Sequence, residues 1–226
     1  MTSAFPAPRL TPESSLSVFR TLLDAVSHPG RPFSLDLDNG DDIRVGDLRT
    51  GDLPMVALPL LSLADIDVTV AVVGVDRMTD EHDALGLGRR IARSTGARLT
   101  SDVAAADLVL AGAGTTSGDL LALRVGNHHE PERGAKLFVA CDDIHVAASD
   151  DELRPDDPVL YVRVTGPGAS DGRIVGLAGL DRTVLEFVSA LNGSFPAGVD
   201  AWVVAPDGTV VAIPRSCSIG LAQGAR

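Results

Sequence analysis

The sequence is short of cysteine and lysine, and each shortage excludes a kind of site. Only two cysteines, Cys141 and Cys217, occur among its 226 residues, and they form no CxxC pair. Two cysteines alone cannot complete the four-ligand shell of a structural zinc site. Lys136 is the single lysine, so any chemistry that needs a Schiff-base lysine depends on that one residue.

Long apolar runs and targeting patterns are also missing. No apolar stretch approaches the ~20 residues that span a bilayer, and the sequence shows no pairing of basic residues with an apolar core of the kind that marks a secretory signal. We therefore expect a cytoplasmic protein without membrane contact. An apolar content of 45% and a mean hydropathy of +0.18 predict a folded chain. We expect one domain over residues 1–226, with an extended arm at 1–10 and a C-terminal tail at 217–226.

Positive charge is scarce, and the formal net charge is −12. An acidic surface repels a phosphate backbone, so we do not expect a nucleic-acid partner. Of the 19 cationic residues, however, 18 are arginine, and a planar guanidinium suits bidentate phosphate contacts. A locally basic pocket therefore stays open as an interpretation. Compositional bias of a GC-rich genome is the alternative explanation of the arginine excess.

The first clear element is a helix that begins at Thr11-Pro12-Glu13, which offers an N-cap, a first-turn proline and a first-turn acid. It ends at Ser27-His28-Pro29-Gly30, because a proline disfavours helical geometry in the residue before it. Five apolar residues are expected to line one face, and they are Leu16, Phe19, Leu22, Leu23 and Val26. Arg20 and Asp24 fall on the other face.

Helices and short apolar strands then alternate along the chain, which predicts an α/β fold. We expect three α/β/α layers, with a mixed central sheet and helices on both faces. The strands are predicted at Val68–Val75, Asp107–Ala111, Ala135–Cys141, Pro158–Val164, Val199–Ala205 and Thr209–Ile213. Helices are predicted at Leu53–Ala64, with a kink or break at Pro59, at Glu81–Ser94, and after the N-cap Asp181. Loops are predicted at Asp36–Asp42 and Ala148–Pro155.

Four segments of the sequence match a pattern that resembles the PhnH family, a subunit of the phosphonate carbon–phosphorus lyase complex. They are FRTLLDAVSHPG at 19–30, GPG at 166–168, FPAGVD at 195–200 and IPRS at 213–216. The family more often has leucine where Ala197 stands and threonine where Ser216 stands. The first segment lies ~150 residues from the other three, so the resemblance covers nearly the whole chain.

The resemblance implies a fold similar to that of pyridoxal-phosphate-dependent transferases, without the cofactor. It also implies a homodimer that joins the G-, I- and J-type subunits of the complex. That complex couples ATP to an alkylphosphonate and displaces adenine to give a ribosyl phosphonate triphosphate. We expect this chain to be inactive alone. The alternative is a stand-alone pyridoxal-phosphate transferase that uses Lys136, although the family usually has a small polar residue there.

The sequence predicts no cofactor and no metal site, and it leaves the catalytic residues unassigned. His128-His129-Glu130 lacks HExxH spacing, and adjacent strand side chains point to opposite faces, so we interpret it as a surface loop. The AGAGTTSG run at 111–118 lacks the lysine of a phosphate loop and is interpreted as a connection.

Four residues remain as candidates for contact with a ligand or a partner: Asp200, Arg215, His28 and Arg20. Asp200 and Arg215 flank strand ends, where open α/β sheets tend to collect ligands. The alternative is that Asp200 caps a turn and Arg215 pairs with a carboxylate. On the first interpretation, Asp200→Asn and Arg215→Gln fold normally and weaken assembly. His28 and Arg20 belong to the FRTLLDAVSHPG segment, and His28 alternatively only satisfies carbonyls at the helix end.

Overall fold

The computed structural model describes residues 9–35, 54–74, 84–147 and 159–222 of the chain. The predicted loops at 36–42 and 148–155, and most of the predicted arm at 1–10, lie outside these residues. Within them the chain forms a mixed seven-stranded sheet, a second sheet of four strands and four α-helices.

The main sheet has the strand order β1-β10-β9-β5-β4-β2-β3. Strands β9, β5, β4, β2 and β3 run parallel, whereas β10 is antiparallel to both β9 and β1. The predicted mixed sheet is therefore confirmed. Its strands are β1 (Phe33–Ser34), β2 (Thr69–Val73), β3 (Arg98–Leu99), β4 (Leu108–Ala111), β5 (Lys136–Ala140), β9 (Asp200–Val204) and β10 (Thr209–Ile213).

Both faces of this sheet are covered, as the continuous apolar strands require. Successive side chains alternate between two separate cores, so that Leu137 and Val139 enter one core while Phe138 and Ala140 enter the other. All four are at most 3% exposed. The β5 sequence therefore places each residue in a defined core through the two-residue period of a strand.

Three helices cover the face that Phe138 enters: α1 (Pro12–Ser27), α2 (Leu58–Leu63) and α3 (Ala84–Thr95). Thr11 caps α1 by accepting a hydrogen bond from the Ser14 amide at 3.1 Å, as predicted. The predicted break at Pro59 is also found, because a 3₁₀ turn at Met55–Ala57 leads into α2 and Pro59 lies in the first turn of α2. A proline is tolerated there because its missing N–H would have no helical partner.

The predicted apolar face of α1 was partly wrong. The residues that α1 buries are Val18, Leu22 and Ala25, whereas Leu16, Phe19 and Leu23 are 46%, 41% and 50% exposed. The helix carries apolar residues over a wider arc than the sheet can cover, so the sheet contacts only part of it. We call Leu16, Phe19 and Leu23 the α1 stripe.

The opposite face differs from the predicted helical layer. It is covered by α4 (Arg182–Leu191) together with a four-stranded antiparallel sheet of order β11-β7-β8-β6. These strands are β6 (Asp143–Ala147), β7 (Val159–Gly166), β8 (Ala169–Ala178) and β11 (Ser218–Leu221). Only β7 was predicted. The segment expected to be a C-terminal tail, 217–226, supplies β11, which pairs with β7.

Helix α4 starts at its predicted cap. Asp181 Oδ1 accepts hydrogen bonds at 2.7 Å from both the amide and the hydroxyl of Thr183, and these bonds lower the pKa of Asp181. A lowered pKa means that the capping contribution is present above the unfolded-state pKa and is lost as the pH falls through the folded-state pKa.

Replacing this cap should weaken the helix measurably. Asp181→Ala is expected to lower the free energy of unfolding by about 1 kcal/mol, because the Thr183 amide loses its acceptor. The change should be visible in urea denaturation at neutral pH and should shrink at acidic pH. An unchanged midpoint at neutral pH would show that the cap contributes nothing.

Candidate functional site

Asp200 and Arg215, two of the four candidate residues, form an ion pair with each other. Arg215 Nε lies 3.1 Å from both carboxylate oxygens of Asp200, and Nη2 lies 2.7 Å from Oδ2. The Arg215 amide also donates to Asp200 Oδ1 at 3.0 Å. The side chains are only 11% and 22% exposed. The geometry therefore matches the alternative interpretation, in which the two charges satisfy each other.

The Arg215 guanidinium also joins a third segment of the chain. Its Nη1 donates to the carbonyl oxygen of Pro131, and a Cβ placed on Gly134 would lie 2.9 Å from that nitrogen and 2.3 Å from the Gly198 carbonyl oxygen. The three segments that contain Gly134, Gly198 and Arg215 thus approach at backbone distance around one charged group. Charge-assisted hydrogen bonds of this kind are stronger than neutral ones.

A second ion pair lies at the same edge of the main sheet. Asp107, immediately before β4, pairs with Arg124. Burial alone would raise the pKa of Asp107, but hydrogen bonds from the Thr69 amide and from Arg124, with the Arg124 charge, outweigh it and lower the pKa.

Asp107 precedes β4, and Asp200 begins β9, so both ion pairs lie at the amino ends of the parallel strands. This is the edge opposite to the carboxyl ends, beyond which open α/β sheets bind ligands.

Three of the chain's many arginines line a separate concave surface. It encloses about 460 Å³ beside the loop that follows α1, and Arg31, Arg163 and Arg173 line it together with Asp171. Among the described lining residues, arginines outnumber carboxylates three to one, whereas the whole chain has a net charge of −12. We call this surface the arginine groove. A volume of this size suits a small-molecule ligand.

Two of the three arginines are held by their surroundings. Arg173 is half-buried and donates from Nη1 to the Pro29 carbonyl oxygen at 2.7 Å. Its Cβ lies 3.1 Å from the point where a Cβ on Gly30 would stand, and Gly30 has a φ of +72°. Glycine is favoured there by both its backbone conformation and this close approach. Arg31 places its guanidinium 5.5 Å above the Phe33 ring, a cation–π distance.

A family described as "Bacterial phosphonate metabolism protein (PhnH)" matches residues 9–220 of the chain. The chain belongs to the PhnH family. Membership implies a role in phosphonate metabolism. No curated protein gives a significant match.

The four segments that carry the PhnH pattern pack against one another in space. The end of FRTLLDAVSHPG touches GPG, since a Cβ on Gly168 would lie 2.7 Å from the Ser27 carbonyl oxygen. GPG in turn touches the end of IPRS, because a Cβ on Gly166 would lie 3.0 Å from the Ser216 carbonyl oxygen. The Asp200–Arg215 pair connects IPRS to FPAGVD. The family pattern therefore marks one continuous junction between α1 and the two sheets.

Of the other two candidates, Arg20 lies on α1 and His28 is the C-cap residue that follows it. His28 is exposed, and its Nδ1 lies 3.0 Å from the Asp24 carbonyl oxygen, so it does satisfy a terminal carbonyl. It also stands two residues before Gly30 at the margin of the arginine groove. Arg20 is exposed two turns earlier and forms no ion pair within the described ranges. The structure therefore brings Asp200 and Arg215 together but places His28 and Arg20 elsewhere.

The histidine pair of this PhnH-family chain lies in a surface loop, as predicted. His128 and His129 are exposed, and Asn127 Oδ1 accepts hydrogen bonds from the amides of His129 and Glu130 at 2.8 and 2.9 Å. Over the part of the chain that the structure describes, no group of three or more histidine, cysteine, aspartate or glutamate residues could hold a metal ion. In the same ranges, no helix is long and apolar enough to cross a membrane.

Lys136 begins β5 at the amino edge of the main sheet. It is half-buried. Its backbone is paired with Asp200 in the strand register, which puts the residue at the edge away from the carboxyl ends. Nothing among the described residues favours the alternative of a lysine-dependent transferase.

The two cysteines are buried and free. Burial, followed by the charges of Asp142 and Asp143, raises the pKa of the Cys141 thiol to about 12, and burial also raises that of Cys217. A thiol with a raised pKa is a poor nucleophile because little thiolate is present.

Cys141 should therefore be unreactive in the native protein. We expect a disulfide reagent at pH 8 to leave both thiols of the native protein unmodified. Over the same time it should modify both thiols of the protein unfolded in urea. Rapid stoichiometric labelling of the native protein would contradict the buried placement.

Proposed function

We propose that the chain is a subunit of the carbon–phosphorus lyase core complex, where it supports the ATP-dependent formation of ribosyl alkylphosphonate triphosphate. The observation that carries the proposal is the PhnH match over residues 9–220. The role is proposed to be structural or co-catalytic, and the isolated subunit should not turn over ATP or phosphonate. The reaction displaces adenine at a ribose carbon. This step needs a positioned nucleophile and a stabilised leaving base, and no residue of this chain is assigned to either role.

The junction of the family segments supports a scaffold role for those segments. Asp200 and Arg215 are engaged with each other and with the backbone of Pro131, so they hold loops together in this structure. A scaffold that fixes surface turns is suited to presenting a surface to partners. The partners are proposed to be the G-, I- and J-type subunits of the complex.

The α1 stripe supports the proposal that the chain forms a homodimer. Three apolar side chains spaced i, i+3 and i+7 on one exposed helix face are typical of a surface that another protein covers. We expect a dimer by light scattering at micromolar concentration. Phe19→Asp should shift it to monomer, whereas Ile66→Asp, at a residue that is 71% exposed, should not. A wild-type monomer would count against the dimer, and equal behaviour of both variants would count against the stripe.

The complex role is tested by reconstitution. Tagged chain should retain the partner subunits from a mixture of purified components, and triphosphate product should form only when this chain is present. Product formation without it would overturn the proposed function. Lys136→Ala should leave turnover unchanged, and loss of turnover by a variant with wild-type melting would instead favour the lysine-dependent alternative.

A further inference from the structure

Among the described residues that line the arginine groove, three are arginines and one, Asp171, is a carboxylate. Neither Arg31 nor Arg173 forms an ion pair with a carboxylate of the described residues. Arg173 uses one nitrogen on the Pro29 carbonyl, and a guanidinium carries five N–H donors. Arginine cannot lose its proton under ordinary conditions, so Arg31 and Arg173 stay cationic at every pH at which the protein folds.

The groove is built from elements that the fold holds firmly. Arg163 lies on β7 and Arg173 on β8, the two strands with the longest register in the second sheet. The Arg163 stem passes 3.3 Å from the point where a Cβ on Gly172 would stand, which packs its methylene groups against the β7–β8 hairpin. Arg31 approaches from the loop after α1. Arg173 is held by the Pro29 carbonyl and Arg31 lies over the Phe33 ring, and guanidiniums placed in this way bind a shared anion with less loss of side-chain entropy than mobile ones.

The chemistry of the groove defines the ligand. A planar guanidinium forms paired hydrogen bonds with carboxylate or phosphate oxygens. Several guanidiniums around one concave site match an anion with more than one charge and oxygens directed to several sides. A tetrahedral phosphorus oxyanion has that form, whereas a carboxylate presents one charge in one plane.

We infer that the arginine groove binds the phosphorus oxyanion of a small molecule, either a phosphate group or a phosphonate group. Arg31 and Arg173 are the residues that contact the anion, and Arg163 lines the groove beside them. This inference goes beyond the subunit role proposed above and does not depend on it, because it concerns the isolated chain.

The test is calorimetric titration of the full-length protein at constant ionic strength. The probes are inorganic phosphate, methylphosphonate, tripolyphosphate and sodium acetate. We expect saturable binding of at least one phosphorus oxyanion in the millimolar range or tighter, and no binding of acetate. Tighter binding of methylphosphonate would identify a phosphonate source, and tighter binding of phosphate or tripolyphosphate would identify a nucleotide or phosphate source.

Arginine variants test whether the anion binds in the arginine groove. Arg31→Gln should weaken binding by about tenfold, as expected for one charge-assisted hydrogen bond. Arg31 is exposed, so this variant should fold even if Arg173→Gln, which loses the Pro29 contact, does not. Arg182→Gln removes the same charge from α4, where the side chain pairs with Glu186 at 2.6 Å, and should bind like the wild type.

Three outcomes would overturn the inference. They are the absence of saturable binding by every phosphorus oxyanion, acetate binding of equal strength, and equal weakening by Arg31→Gln and Arg182→Gln. The last two would show a general response to charge. Denaturation midpoints of both variants, measured beside the wild type, confirm that the comparison is between folded proteins.

Discussion

Arg215→Met is expected to lower the free energy of unfolding by about 3 kcal/mol, the lower end of the range for breaking a buried ion pair. The guanidinium is 11% exposed and binds both Asp200 oxygens and the Pro131 carbonyl. Methionine fills much of the same volume but leaves the Asp200 carboxylate without its cation and the Pro131 carbonyl without its donor. Urea denaturation measures the change.

A double variant distinguishes the contribution of the ion pair to stability from that of the packing around it. Asp200→Asn with Arg215→Met should cost less than the sum of the two single changes, because the uncompensated charge is removed. Arg133→Met, at a side chain that is 65% exposed, is the matched control and should stay within about 0.5 kcal/mol of the wild type. If the change in the free energy of unfolding of the double variant equals the sum of the two single changes, the two charges do not stabilise each other.

This expectation replaces the one made from the sequence. The sequence favoured variants at Asp200 and Arg215 that fold and weaken assembly. With both charges paired inside a junction of three loops, loss of stability should come first, and an assembly defect is informative only in a variant with wild-type melting.

Local signals predicted the elements that depend on local chemistry. Thr11 and Asp181 are caps in the structure as in the sequence, because a cap is decided by a few adjacent residues. Pro59 likewise predicted the helix break that lies just before α2, because the effect of a proline on a helix is also local. The sequence also predicted the strand that forms β5, whose side chains enter both cores.

The second sheet was missed because its strands lack such signals. Strand β8 begins ASDGR, and its serine, aspartate and glycine are typical of a turn. Strands β6 and β11 are short, and neither contains a buried residue. Pairing with β8 stabilises β6, and pairing with β7 stabilises β11 by joining residues as far apart as Val164 and Ile219. Pairing between distant segments, and not local propensity, therefore determines that these segments form strands.

The arginine groove could not be located from the sequence for a related reason. Arg31 is separated from Arg163 and Arg173 by more than half of the chain. The arginine excess left a basic pocket open, but only the packing of α1 against the β7–β8 hairpin brings these residues together. The signal available was the arginine that directly follows the SHPG turn.

The second large effect is expected in the core beneath α1. Phe138 is fully buried and stacks on Trp202, with ring centroids 5.0 Å apart and an interplanar angle of 18°. Phe138→Ala should lower the free energy of unfolding by about 3–5 kcal/mol, since it removes a buried aromatic ring and leaves a cavity. Phe138→Leu, which keeps most of the apolar volume, should cost about 1 kcal/mol. Equal denaturation midpoints for the two variants would contradict this packing.

The effect should also be uneven across the molecule, because the main sheet separates two cores. Phe138 belongs to the core that α1 covers, and the Trp202 indole N–H donates to the Leu22 carbonyl oxygen of α1 at 3.3 Å. Hydrogen exchange of Phe138→Ala should therefore accelerate in Pro12–Ser27 more than in Arg182–Leu191, whose residues pack in the opposite core. Because α1 leads into Gly30 and Arg31, the same variant should weaken anion binding in the arginine groove although no groove residue has changed. Uniform acceleration in both helices would show instead that the two cores open together.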